Sequence, residues 1–162
     1  MKRFTMLTVC LLALATFMVT AAQAQSPHFI KTSASVQNNG NLTVSFKEAG
    51  LGSNVNIDYL ASANGSATYG CINGGGNHPK ATNKETVNGP VSAGGTFSSG
   101  QNGTISQSLT IAPPGPGNFS CPGGQTLLLG TVSYSNVSIS DNTNSVSEVV
   151  GTGTFTVVVN NF

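Results

Sequence analysis

Beyond residue 24, apolar side chains recur at every second position, and no window there carries the 3.6-residue apolar spacing of a helix. Gly, Ser, Thr and Asn interrupt each helical candidate within about two turns. A chain patterned this way buries itself as strands with one greasy face each. Ile30, Ala34 and Val36 share a face, Asn38-Asn39-Gly40 supplies a turn, and Leu42, Val44 and Phe46 share the next face. The same grammar runs through Val55, Ile57, Tyr59 and Ala61 and through Ala67, Tyr69 and Cys71, with Asn64-Gly65 between them as a turn or a bulge.

A further hairpin is expected around Asn102-Gly103, with Thr96 to Ser98 on one arm and Ile105, Leu109 and Ile111 inward on the other. After the proline-rich loop 112–117, the apolar phase slips twice, between Leu129 and Val132 and between Tyr134 and Val137, so one long kinked strand or two short ones fit. Val146 to Val150 and then Phe155, Val157 and Val159 complete seven to nine strands. Strands with one apolar face each pair as two layers, which predicts an all-β, two-sheet antiparallel β-sandwich.

Lys2 and Arg3, the apolar run Met6 to Val19, and Ala22 and Ala24 ahead of a cut form the pattern of a secretory signal peptide over residues 1–24. The apolar run is shorter than the ~20 residues of a spanning helix. Residues 25–162 are then a single exported domain with no membrane span, secreted or periplasmic. An eight-stranded outer-membrane barrel fits poorly, because Val158, Thr156 and Thr154 make no lipid-facing apolar series. Cys10 leaves with the signal, and the remaining pair, Cys71 and Cys121, is expected to form one disulfide in an oxidising compartment.

Only 7% of the residues are charged. Past residue 24, Lys31, Lys47, Lys80 and Lys84 face Glu48, Asp58, Glu85, Asp141 and Glu148, which is close to neutral. Salt-bridge networks and nucleic-acid binding are both excluded by that scarcity.

Tests for chemistry return no catalytic set. There is no Gly-x-Ser-x-Gly elbow. Glu48, Glu85 and Asp141 lie in or beside polar turn-like segments and read as solvated charges, and Asp58 alternates away from the apolar face. No metal is expected: Pro27 lacks the backbone N–H that an amino-terminal copper site at His28 would use, and Asp141 to Asn144 reads as a turn. Gly74-Gly75-Gly76 lacks the Lys-Ser or Lys-Thr of a phosphate loop, and no cofactor is expected. With Phe46, Tyr59, Tyr69, Tyr134 and Phe155 on core faces, Phe97, Phe119 and Phe162 are the rings left for a surface patch, and Phe97 and Phe119 together with His78 form the candidate ligand patch.

Two resemblances bear on this reading. Ala67-Thr68-Tyr69-Gly70-Cys71 resembles the Tyr-x-Cys strand of immunoglobulin domains, which implies an immunoglobulin-like architecture, although Cys71 is the first cysteine of the domain and the core Trp is missing. The stretches 42–52, 69–76 and 132–137 resemble small secreted microbial β-sandwich proteins of uncharacterised, hypothetical status, which implies export and a sandwich but no activity. The function expected is a non-catalytic extracellular or cell-surface interaction module whose partner is an unknown extracellular protein or a glycan surface. The alternative is a secreted hydrolase or a small-ligand or carbohydrate-binding domain using loop residues around His78.

Overall fold

The computed structural model describes residues 26–74 and 83–162, so the expected signal segment and His78 lie outside the described residues. Eight strands occur there and no α-helix: β1 (His28–Val36), β2 (Leu42–Ala49), β3 (Asn56–Asn73), β4 (Lys84–Ser98), β5 (Thr104–Ile111), β6 (Gln125–Asp141), β7 (Val146–Val149) and β8 (Phe155–Val158). They form two antiparallel sheets packed on each other. The smaller has the order β1-β2-β5. The larger has the order β4-β3-β6, with β7 and β8 both on the far edge of β6.

Alternation places the core as the sequence predicts. Leu42, Val44 and Phe46 of the small sheet meet Ile57, Tyr59, Ala61, Val132, Tyr134 and Ile139 of the large one in a single buried cluster. At β1 the phase differs from expectation. A bulge between Phe29 and Lys31 turns Phe29 inward against Phe46 and Tyr59, and Ile30, expected inside, is 53% exposed. The Asn38–Gly40 turn is present, and Gly40 has reasons of its own to be glycine. Its φ is +89°, and a Cβ there would press on Leu129, Val132 and Val159.

Both phase slips in β6 are bulges within one continuous strand. Asn136 and Val137 together oppose Ala63, with Asn136 at φ 51°, and Gly130 and Thr131 together oppose Thr68. The first bulge separates the stretch of β6 that pairs with β7 from the stretch that pairs with β8. Asn64-Gly65 is no turn: β3 runs straight through it, fully paired with β4.

The hairpin expected around Asn102-Gly103 does not form. β4 belongs to the large sheet and β5 to the small one, so residues 99–103 carry the chain across the gap between layers. The β2–β3 connection crosses beside it, and Ser99, 2% exposed, stitches the two together. Its hydroxyl donates to the Gly52 carbonyl at 2.7 Å and accepts from the Val55 amide at 3.0 Å. Apolar alternation on both sides of a short polar link looks the same for a hairpin and for a crossing. The difference lies in which backbone groups the link satisfies.

The Cys71–Cys121 disulfide is formed, joining the end of β3 to the loop before β6 across a sequence separation of 50. In immunoglobulin domains the bond pins the two sheets in mid-core, so the likeness extends to the layered architecture alone. In the loop-entropy account, a closure of this length stabilises by roughly 4 kcal/mol. Reduction is therefore expected to shift the urea midpoint strongly downward, and an unchanged midpoint would contradict a structural role for the bond. Leu42→Ala is expected to cost about 2–5 kcal/mol by the same measurement, whereas Ile30→Ala should cost under about 0.5 kcal/mol because the bulge leaves Ile30 in solvent.

Candidate functional site

Two of the chain's scarce charges are buried, while Lys31 and Lys47 stand together on the outer face of the small sheet. Continuing the inward series Leu42, Val44 and Phe46 by one step reaches Glu48, which is 0% exposed, and continuing Val137 and Ile139 reaches Asp141, 1% exposed. Both were expected to be solvated, and the alternation that located the core also contains the signal that they are not. Tyr59 donates its hydroxyl to Glu48 Oε2 at 2.6 Å, while Glu48 Oε1 has no hydrogen-bond partner. Asp141 is held by its own turn: Oδ1 accepts from the Thr143 and Asn144 amides at 2.8 and 2.9 Å, and Oδ2 accepts from the Asn144 side-chain amide at 2.6 Å. Nearby, Thr32 of β1 donates to Glu148 of β7 at 2.7 Å, a second polar link between the layers.

Burial pushes the Glu48 carboxyl up to about 6; the Tyr59 hydrogen bond opposes this and the Asp141 charge adds to it. Tyr59 is driven far above the ordinary phenol value, by burial first and by Glu48 second. Asp141 is close enough for its charge to act on Glu48, but both acids are buried, and none of the hollows described below is lined by them. In this conformation they act on the fold.

The ligand patch expected from His78, Phe97 and Phe119 is not assembled by the described residues. Phe97 turns inward, half-buried, with its ring centroid 6.3 Å from Phe46 and 6.1 Å from Tyr59. It pairs with Ile57 at one end of β3. Phe119 packs half-buried against the core two residues before Cys121, which is bonded to Cys71 at the other end of β3. The third spare ring, Phe162, lies over Gly70 and Gly130, where the missing side chains leave it room, with the Lys84 ammonium 5.2 Å from its centroid.

A trough of about 440 Å³ lies on the outer face of the small sheet, lined chiefly by Lys31, Ser33, Ser45, Lys47, Ser106 and Ser108. Strand register explains its make-up. Lys31 pairs with Lys47 and Lys47 with Ser106; one step along, Ser33 pairs with Ser45 and Ser45 with Ser108; one step further, Ser35 pairs with Thr43 and Thr43 with Thr110. The outer face is thus three rows of three: two rows of serine and threonine, and an end row in which two lysine ammonium groups stand side by side next to Ser106. Strands about 5 Å apart, and like-facing residues about 7 Å apart along them, set the grid. Among the described residues neither lysine has an ion pair or hydrogen bond, and the only acid in these three strands, Glu48, points the other way. Like charges directly opposite on a sheet destabilise it.

The outer face of the large sheet is also polar, with two smaller hollows of about 330 and 350 Å³ around Asn64, Ser66, Asn88, Pro90, Ser92 and Ser135. No charged residue lines either. The register of Lys31 against Lys47 was hidden from sequence reading, because the bulge at Ile30 decides which residue of β2 Lys31 meets. No protein-family model, curated protein or solved structure matches the chain.

The buried acid makes a signed pH prediction. The folded chain holds the Glu48 proton up to about pH 6, whereas an unfolded chain releases it near the ordinary 4.5. Stability from this group is therefore full below pH 4.5 and is lost as pH rises through 6, by roughly 1–2 kcal/mol. The stability difference between wild type and Glu48→Gln should follow that curve in denaturant titrations from pH 4 to 8, and a pH-independent difference would contradict it.

Proposed function

We propose that the chain is a secreted, non-catalytic β-sandwich that serves as an extracellular or cell-surface interaction module and meets its partner with the outer face of the small sheet. The carrying observation is the trough itself: an open grid of hydroxyls with two ammonium groups that no described residue pairs, placed on strands held at the back by the core. Serine and threonine hydrogen-bond to a ligand while giving up little side-chain entropy, which suits a contact surface. The signal-like segment at residues 1–24 and the cystine support export. The burial of Glu48 and Asp141 away from the surface supports a non-catalytic role.

A block placed on one face tests this reading. Ser45→Trp fills the middle of the grid, and Ser92→Trp puts the same ring on the outer face of the large sheet. In sedimentation with isolated cell envelopes and insoluble polysaccharides, Ser45→Trp is expected to lose retention by about tenfold or more, with Ser92→Trp close to wild type. Equal retention of both variants would contradict use of this face.

A further inference from the structure

We infer that the outer face of the small sheet takes an acidic polysaccharide, whose carboxylate or sulfate groups sit between Lys31 and Lys47 while its hydroxyls meet the serine and threonine rows. This rests on the proposed use of that face and adds the chemistry of the occupant.

Three observations carry it. The chain has few cations, yet two of them stand directly opposite each other in register on adjacent strands, an arrangement that costs stability unless an anion lies between them. Both line the same trough, and neither is neutralised by any described residue. An oxyanion held between two ammonium groups turns that repulsion into charge-assisted hydrogen bonding. Next to the pair, Ser33, Ser45 and Ser106 put hydroxyls one row along and one strand across, so a ligand bearing an acid group among many hydroxyls is met by donors of both kinds.

The same features argue against other partners. A nucleic acid presents a phosphate at every step and draws its affinity from many cationic contacts, whereas the trough offers two. A protein interface has an apolar or aromatic centre, and here the centre is Ser45 among other serines. Neutral glycans commonly stack on exposed rings, and Phe46, the ring nearest this face, is buried on the core side of β2.

The test uses the full mature domain with polygalacturonate, fully methyl-esterified polygalacturonate, dextran sulfate and dextran, read by affinity electrophoresis and calorimetry. Wild type is expected to bind the acidic member of each pair about tenfold or more tightly than its neutral counterpart, and to weaken as salt rises. K31Q/K47Q should lose that preference, with a urea midpoint no lower than wild type because a like-charge pair has gone, so that misfolding is separated from loss of the site. Equal binding to acidic and neutral polymers that persists in K31Q/K47Q but fails in Ser45→Trp would overturn the acid-binding role and leave the surface role standing. Binding that survives Ser45→Trp would overturn both. Failure of wild type to bind either acidic polymer would overturn the inference.

Discussion

Three buried phenol hydroxyls fix how the small sheet sits on the large one. The chain has three tyrosines, and each projects from the large sheet to an acceptor outside it. Tyr59 reaches Glu48 on β2, Tyr134 reaches the Gly40 carbonyl in the β1–β2 turn at 2.7 Å, and Tyr69 reaches the Pro114 carbonyl in the loop after β5 at 2.7 Å. Apolar burial brings two sheets together without specifying one alignment, because hydrophobic contact is non-directional. Hydrogen bonds in a dry core are directional and costly to leave unmade. These three therefore select one alignment of the layers, and with it the fixed shape of the outer grid.

That arrangement explains where the polar chemistry went. Two of the chain's few acids lie in the interior, and burial pushes one of them, Glu48, up to about 6. Two lysines are left together on one outer face with no acid beside them. A fold that used ion pairs for stability would have matched these groups. Here Glu48 accepts from Tyr59, and among the described residues Lys31 and Lys47 have no ion pair or hydrogen bond.

Much of this was legible in residues alone. Period-two alternation located the core of β2, β3, β5 and β6, and the two phase slips in β6 marked real bulges. The same rule, carried one step past Phe46 and past Ile139, would have buried Glu48 and Asp141; reading them as turn charges overrode the pattern. Two features were beyond that rule. The bulge at Ile30 exchanged it for Phe29, and the link at Ser99 crosses between layers instead of closing a hairpin. Both are decided by backbone hydrogen bonding across strands that are distant in sequence. The trough belongs with them: its lysines are far apart in the chain, and only inter-strand register makes them neighbours.

The most direct measurement is an amide chemical-shift titration of the isotope-labelled domain with a short oligogalacturonate. Perturbations are expected to concentrate at Lys31, Ser33, Ser45, Lys47, Ser106 and Ser108, with Asn64, Asn88 and Ser92 on the opposite face unmoved. Perturbations centred on that opposite face, or spread evenly over the surface, would contradict binding at the trough.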